Sequence, residues 1–251
     1  MKVLSIAIAG GLLWSPIGVS AAQRTNPADK LERGSYSRDA VSVCSLSQSA
    51  PPIRIPSPDG KKAIVVSPDR DPQLPRTVLV VEAFGREFQA GFTWSPDCEV
   101  GWSPDSRAFF ATYTMGGAVG GFVTQVFFVR PEGLNLVEPT KDVVKNFLSH
   151  PRTCFVPEDP NIGAIEWIRG SSDLLVAAET LPHSNCDNMG TFRAYIIHLP
   201  DGDIVKSYGQ IEAKKLFWKH LGDELRNADD DCIRKPGSCD IPQLHPSKHY
   251  H

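Results

Sequence analysis

Short runs of β-branched and aromatic residues, separated by turn residues, dominate the hydrophobic pattern of the chain. The pattern predicts strands at residues 61–67, 77–82, 87–92, 107–114, 122–130, 134–137, 173–178, 192–199 and 204–208. In the last pair, Asp201-Gly202 lies between two apolar runs, which is a strong hairpin signal. The chain is therefore predicted to consist of short antiparallel meanders.

Two stretches depart from this pattern and have helical spacing. Thr140 precedes a short apolar stripe at residues 143–148, which predicts a capped helix over 140–148. In residues 210–227 helical spacing relates Ile211, Phe217, Trp218, Leu221 and Leu225. This spacing predicts an amphipathic helix that docks on the β body, with a partner-binding helix as the alternative.

A short corner motif recurs before several of the predicted strands. It reads Ser57-Pro58-Asp59-Gly60, then Trp94-Ser-Pro-Asp97 and Trp102-Ser-Pro-Asp105, and in weaker form it follows Trp167. Proline presets φ at the second position of a turn, and aspartate can hydrogen-bond to its own backbone. Trp94–Asp97 runs into Cys98 without an obvious strand, so only three of the corners are expected to begin one.

This unit resembles the blade signature of TolB-like and dipeptidyl-peptidase-like β-propellers, in which a Trp-Ser-Pro-Asp-Gly turn precedes an apolar strand. Blades need about 40–45 residues each, so residues 50–210 leave room for roughly four. The starts at Ser57, Trp102 and Trp167 are 45 and 65 residues apart, which places an insertion around 140–148. The resemblance implies either a small propeller or an open, sandwich-like stack of the same units, and it implies no particular chemistry.

The expected fold is therefore all-β: a small or incomplete β-propeller-like array of antiparallel meanders, with a short inserted helix and a C-terminal amphipathic helix. Residues 1–22 are predicted to be a signal peptide and 23–52 a polar, mobile lead-in. The β-propeller-like domain spans 53–209, and the C-terminal helix spans 210–228. A disulfide loop and mobile tail occupy 229–251.

The first 22 residues predict export. Lys2 forms a short positive region, Val3–Leu13 is apolar, and small residues at 19–22 precede a cleavage site. An uncleaved anchor is the alternative, although the apolar run is shorter than the about 20 residues of a membrane span. The expected location is periplasmic or secreted, with no membrane span after cleavage.

Six cysteines follow this signal, an even number that favours disulfides in an oxidising compartment. The structural disulfide candidates are Cys44, Cys98, Cys154, Cys186, Cys232 and Cys239. The turn at 235–238 favours Cys232–Cys239, and chain order then gives Cys44–Cys98 and Cys154–Cys186. A zinc site is the rival interpretation, but the chain has no Cys-x-x-Cys pair.

Composition excludes one class of partner and leaves little candidate chemistry. The net charge of −3, with no basic run longer than a pair, argues against nucleic acid. The loop His183–Asp187 brings together His183, Ser184 and Cys186, the residue types of a nucleophilic hydrolase, but there is no Gly-x-Ser-x-Gly elbow. The glycine run at 116–121 lacks phosphate-loop spacing and predicts a hairpin tip.

The sequence also contains candidate residues for metal and sugar sites. His245, His249 and His251 offer imidazoles in a terminal tail, and Asp69–Asp71 and Asp201–Asp203 offer carboxylates without a calcium-loop pattern. Asp229–Asp231 is predicted to be a solvated helix end. Trp94, Trp102 and Trp167 are predicted core residues, with a sugar-stacking platform as the alternative.

The sequence predicts no catalytic, cofactor-binding or metal residue and no cofactor. The expected function is an exported binding module that acts through protein–protein interaction in the cell envelope. It would be of inhibitor or immunity type or part of an envelope complex, and its partner would be another envelope or secreted protein. The alternatives are a secreted hydrolase that uses the His183 loop and a metal- or carbohydrate-binding protein.

Overall fold

The computed structural model describes residues 32–43, 51–68, 77–90, 98–114, 121–150, 154, 158–182 and 184–234. Within these ranges the strands are β1 (Val41–Ser42), β2 (Ile53–Pro56), β3 (Ala63–Pro68), β4 (Thr77–Ala83), β5 (Arg86–Gln89), β6 (Cys98–Trp102), β7 (Ala108–Thr114), β8 (Phe122–Arg130), β9 (Gly133–Val137), β10 (Asn161–Arg169), β11 (Asp173–Glu179), β12 (Phe192–His198) and β13 (Ile204–Gly209). The helices are α1 (Lys141–Leu148), α2 (Gln210–Phe217), α3 (Asp223–Asn227) and α4 (Asp231–Arg234).

The strands form three antiparallel sheets, each of which follows chain order. Sheet I is β2-β3-β4-β5, sheet II is β6-β7-β8-β9 with β1 added beside β6, and sheet III is β10-β11-β12-β13. The predicted all-β fold of antiparallel meanders is confirmed. The sheets form an open, incomplete propeller-like array, and among the described strands none closes it into a ring.

Three apolar layers hold this array together. Ile64 and Val81 of sheet I pack with Phe109 and Phe127 of sheet II. The other face of sheet II packs against sheet III and α1, as expected for an insertion between the two sheets. The far face of sheet III is covered by residues of α2 and α3, so these helices take the place that another sheet would occupy.

The Ser-Pro-Asp corners have the same internal hydrogen bonds in sheets I and II. Ser103 Oγ lies 2.7 Å from Asp105 Oδ1 and accepts the Ala108 N–H at 3.0 Å. Ser57 repeats both contacts, with Asp59 at 2.6 Å and the Lys62 N–H at 3.1 Å. The motif therefore builds a fixed turn that starts the second strand of each sheet.

The same corners also join neighbouring sheets. The Asp59 N–H donates to Ser106 Oγ at 3.0 Å, and Asp105 Oδ2 accepts from the Ser171 N–H at 3.1 Å and from its hydroxyl at 2.9 Å. The corners of the three sheets therefore form one hydrogen-bonded row along one rim of the array.

A tryptophan links each later sheet to the sheet before it. Trp102 Nε1 donates to the carbonyl of Ile55, and Trp167 Nε1 donates to the carbonyl of Gly101, each at 3.2 Å. Ile55 and Gly101 each lie two residues before the corner serine of their own sheet. The position before Ser57 is Pro56, which has no such donor, so sheet I begins the row.

Substitution of Ser103 by alanine tests whether the corner contributes to stability. The Ser103 side chain is completely buried. Loss of its hydroxyl removes one hydrogen bond from Asp105 Oδ1 and one from the Ala108 N–H. We expect the free energy of unfolding to fall by about 2 kcal/mol, measured by urea denaturation. Ser207→Ala at an exposed position of β13 is the control, and an equal effect of the two substitutions would contradict the prediction.

Three sequence predictions need correction here. Residues 98–102 are a strand, although the run after Trp94–Asp97 was not expected to be one. Residues 32–43 were assigned to a mobile lead-in, but Tyr36, Ser37 and Val43 are buried. The helix predicted over 210–228 is two helices, α2 and α3; Asp229–Asp231 follows the end of α3, and Asp231 also begins α4.

The break after Phe217 changes which side chains of the C-terminal region are covered. Phe217, Leu221 and Leu225 pack on sheet III as predicted. Ile211 and Trp218, expected on the same stripe, are 41% and 50% exposed. Because α2 ends at Phe217, helical spacing does not carry across to α3.

Several predicted features lie outside the described residues. They are the signal peptide 1–22, the corner Trp94–Asp97, the glycine run except Gly121, His183, the Asp69–Asp71 group and the terminal histidines. Among the helices that the structure describes, none combines the length and apolar character needed to cross a membrane.

Candidate functional site

Residues 32–43, the N-terminal segment, connect sheet II to the C-terminal helices. β1 of this segment pairs with β6. Before β1, the segment bonds to the C-terminal region. The Arg38 N–H donates to the carbonyl of His220 at 2.9 Å, and the Gly222 N–H donates to the carbonyl of Tyr36 at 2.7 Å. Side chains add a contact, since His220 Nδ1 lies 2.6 Å from Asp39 Oδ2. The segment therefore places its own side chains next to those of residues 218–226.

Glu99 fixes the segment from the side of sheet II. Its Oε2 accepts the Tyr36 N–H at 3.1 Å, and the side chain is almost completely buried. Burial raises the pKa of this carboxyl to about 8, although backbone hydrogen bonds from Tyr36, Ser37 and Ser35 act in the opposite direction. Its Oε1 has no hydrogen-bond partner among the described residues. Glu99 therefore holds the segment as a neutral acid at pH 7.

Glu179 fixes the segment from the side of sheet III. The Tyr36 hydroxyl donates to Glu179 Oε2 at 2.6 Å. Burial raises the pKa of Glu179 to about 8, the hydrogen bond from Tyr36 lowers it, and the charge of Glu224 raises it. The Tyr36 ring lies against Gly163, where any Cβ would collide with it. Tyr36 thus sits between two buried acids and requires a glycine in β10.

The surface next to this anchored segment carries an exposed aromatic residue and three arginines. Trp218 is half exposed, and the Arg226 guanidinium lies 5.0 Å from the centre of its ring. Arg226 also donates to the carbonyl of Trp218. Arg33 and Arg38, from the N-terminal segment, are close enough for their charges to act on Arg226. We call Arg33, Arg38, Trp218 and Arg226 the arginine patch.

The charges of the arginine patch are not balanced by ion pairs. Burial lowers the pKa of Arg226, the charges of Arg38 and Arg33 lower it further, and Asp223 acts in the opposite direction. None of the three guanidinium groups forms a salt bridge with a described residue. Like charges brought together without salt bridges, and offset only in part by the charge of Asp223, favour the binding of an anion or an acidic surface.

The composition of the patch is that of a protein-binding surface. Tryptophan and arginine are the residues most enriched at the energetic centres of protein interfaces. The C-terminal region also exposes apolar surface, since Ile211 and Trp218 are both exposed. The arrangement can therefore bury an aromatic side chain and pair arginines with carboxylates in one contact.

The structure describes some of the six disulfide candidates and leaves the others outside the described residues. A disulfide joins Cys154 to Cys186, the pair that chain order predicts. Cys98 is also disulfide-bonded. Its predicted partner Cys44, the side chain of Cys232 and all of Cys239 lie outside the described residues.

The hydrolase candidate loses one of its groups. Because Cys186 is in a disulfide, its sulfur is not available as a nucleophile. The Ser184 hydroxyl is buried and accepts the Cys186 N–H at 3.3 Å, so it stabilises the turn. His183 lies outside the described residues, and the structure brings no base to Ser184 among those that it describes.

Two of the three tryptophans of the sugar-stacking alternative, Trp102 and Trp167, are structural, and Trp94 lies outside the described residues. Trp167 is buried in the core between sheets II and III, and Trp102 packs against the core between sheets I and II. Both indole N–H groups are used between sheets.

Sequence analysis did not identify the arginine patch. Arg33 and Arg38 lie in the supposed mobile lead-in, and Trp218 was assigned to the buried stripe. The one local signal is that residues 210–227 contain more apolar side chains than one buried helix face can hold. The meeting of two segments about 180 residues apart has no local signal.

The chain matches no protein-family model, no curated protein and no solved structure. The inference of function therefore depends on the geometry of the arginine patch and on the scaffold that holds it.

Proposed function

We propose that this protein is an exported, disulfide-stabilised binding module that acts through protein–protein interaction in the cell envelope, either periplasmic or secreted. The arginine patch is its contact surface, and the partner presents an acidic surface with an apolar pocket for Trp218. Inhibitor or immunity-type proteins and components of envelope complexes are the two subclasses that fit. The resemblance of the corner motif to TolB-like propeller blades supports a scaffold role for the sheets.

One observation carries this proposal: Arg226 lies over the ring of the half-exposed Trp218, the charges of Arg33 and Arg38 act on Arg226, and none of the three arginines forms a salt bridge with a described residue. Such a group is unfavourable in the free protein because the charges repel each other. Pairing with carboxylates removes that repulsion, and burial of the indole adds apolar contact. The anchoring of the N-terminal segment by Glu99 and Glu179 lowers the entropy that the patch would lose on binding.

Crosslinked capture from envelope extract tests the proposal. The wild-type protein, Trp218→Ala, the pair Arg33→Glu/Arg38→Glu and the control Arg130→Glu are used as baits, and the captured proteins are quantified by mass spectrometry. We expect at least one partner whose capture falls about 30-fold for Trp218→Ala, since truncation of such a residue costs about 2 kcal/mol. The charge reversal should also abolish capture, and the control, at the exposed end of β8, should retain it.

The salt dependence of capture and the identity of the captured species are further tests of the proposal. Capture should weaken as sodium chloride rises from 0.05 M to 0.5 M, because the proposed contacts are electrostatic. Capture of the same proteins in the same amounts by all four baits would contradict the proposal. A captured species that is a nucleic acid or a lipid vesicle instead of a protein would also contradict it.

A further inference from the structure

A second polar site lies away from the arginine patch, at the junction of α1, β12, α2 and α4. It is a cleft of about 250 Å³. Phe147, Phe192 and Ile233 supply an apolar wall, and Arg193, Asn188 and His150 supply polar groups. Its volume is below the roughly 300–1,000 Å³ of pockets for drug-sized ligands, so it suits a small molecule.

Arg193 is the central group of this cleft. It forms no salt bridge with a described residue, and its Nε is buried without a hydrogen-bond partner. Burial raises the pKa of the neighbouring Tyr195 hydroxyl, and the charge and hydrogen bond of Arg193 lower it. A hydroxyl does not neutralise a guanidinium, and a partly buried cation without a salt bridge is costly. The cleft therefore favours the binding of an anion.

The other polar groups around the cleft do not replace this anion. Asn188 Oδ1 is also buried without a partner, but an amide oxygen accepts hydrogen bonds and so does not bind the anion. The N-terminus of α2 opens on the cleft at Gly209 and Gln210, and no side chain caps it. Asp230, a carboxylate close to Gln210, is already bonded to Gln210 Nε2 at 2.8 Å and paired with Lys214 at 3.0 Å.

We propose that this cleft binds a small organic carboxylate that carries an aromatic or branched apolar group. The carboxylate pairs with the Arg193 guanidinium, the geometry in which arginine binds most strongly. The first-turn N–H groups of α2 face the same charge. The apolar group packs on Phe147, Phe192 and Ile233. The carboxylate belongs either to a free acid or to the C-terminus of a peptide.

Titration of the full chain with 3-phenylpropionate tests the site, with amide chemical shifts as the readout. We expect saturable shifts at Asn188, Thr191 and Gly209. The neutral analogue 3-phenylpropanol should bind at least ~10-fold more weakly, as should the acid to Arg193→Gln, because a charge-assisted pair is worth about 1.5–3 kcal/mol. Arg86→Gln, on sheet I, is the matched control and should bind like the wild type.

Two further ligands, a dipeptide and inorganic phosphate, test where the natural carboxylate comes from and whether the proposal holds. An N-acetylated dipeptide that ends in phenylalanine should bind more tightly than 3-phenylpropionate if the natural ligand is a peptide end, and more weakly if it is a free acid. Equal affinity for the acid and the alcohol, full affinity in Arg193→Gln, or no saturation by 10 mM would overturn the proposal. Inorganic phosphate that binds as tightly as the acid would also overturn it, since the apolar wall would then contribute nothing.

A second variant keeps the test valid if Arg193→Gln fails to fold. Ile233 is 41% exposed on α4, so Ile233→Ala should leave the fold intact. It should weaken binding of 3-phenylpropionate several-fold while the affinity for acetate stays unchanged. Unchanged affinity for both acids would place the apolar group elsewhere and overturn the proposed geometry.

Discussion

The free energy of unfolding should fall steeply as the pH rises from 5 to 8. Glu99 and Glu179 have pKa values raised from 4.5 to about 8 in the folded protein, with burial as the main cause. Between these values the unfolded chain has released both protons while the folded chain keeps them. The contribution of these two carboxyls to the free energy of unfolding is therefore fully present below about pH 4.5. It is lost towards pH 8, at about 1.4 kcal/mol per pH unit for each carboxyl.

Glutamine substitutions isolate this effect. Glu99→Gln and Glu179→Gln mimic the protonated acids and do not ionise, so each should flatten the pH profile and raise stability at pH 8 by about 3–4 kcal/mol. Urea denaturation at half-unit pH steps is the measurement. Glu87→Gln, at an exposed position of β5, should keep the wild-type slope. A wild-type slope in Glu99→Gln would mean that Glu99 is already ionised in the folded protein.

This pH dependence connects the core to the proposed contact surface. Ionisation of Glu99 or Glu179 leaves a buried charge next to Tyr36, and the simplest relief is release of the N-terminal segment into water. Arg33 and Arg38 leave the arginine patch with it. The affinity for an acidic partner should therefore fall as the pH rises through about 8, where these carboxyls ionise in the folded protein.

Local turn chemistry explains what the sequence predicts well. The Asp201-Gly202 hairpin joins β12 to β13 as expected, with Gly202 at a φ of 81° that glycine adopts readily. The Ser-Pro-Asp corners at Ser57 and Ser103 are likewise decided within six residues. Such elements need no distant contact, so the sequence pattern suffices.

Strand β6 is an element that the sequence pattern does not predict. Its sequence, Cys-Glu-Val-Gly-Trp, places a glycine and an acid where a strand pattern expects apolar residues. Gly101 is required because a Cβ there would collide with the Phe110 ring, and Glu99 is used to hold Tyr36. Both reasons lie in tertiary contacts that no local window contains.

The candidate sites fail to appear in the sequence for the same reason. The arginine patch joins residues 33–38 to 218–226, and Tyr36 reaches Glu179 across a separation of 143 residues. A polar segment without periodicity is typical of a mobile tail, and only its buried partners make this one ordered. The unbalanced charge of Arg193 is visible only when its neighbours are known.

Removal of the Cys154–Cys186 disulfide should cost about 3–4 kcal/mol of unfolding free energy. The bridge closes a separation of 32 residues, and a loop of that length restricts the unfolded chain by this amount in the chain-entropy model. Urea denaturation of Cys154→Ala/Cys186→Ala is the measurement. The single variant Cys154→Ala should lose as much as the double variant, because either substitution opens the loop. A loss below about 1 kcal/mol in both would show that the loop is held by its other contacts.

The same variants test the link between this disulfide and the cleft. Asn188 and Thr191 follow Cys186 closely, and both line the cleft. Without the bridge these residues gain freedom that a ligand must remove again, so binding weakens even when Arg193 is intact. We expect the affinity for 3-phenylpropionate to fall in the double variant while the affinity of the arginine patch for its partner stays the same. Equal losses at both sites would indicate general unfolding, because the patch is held by Glu99 and Glu179 and not by this bridge.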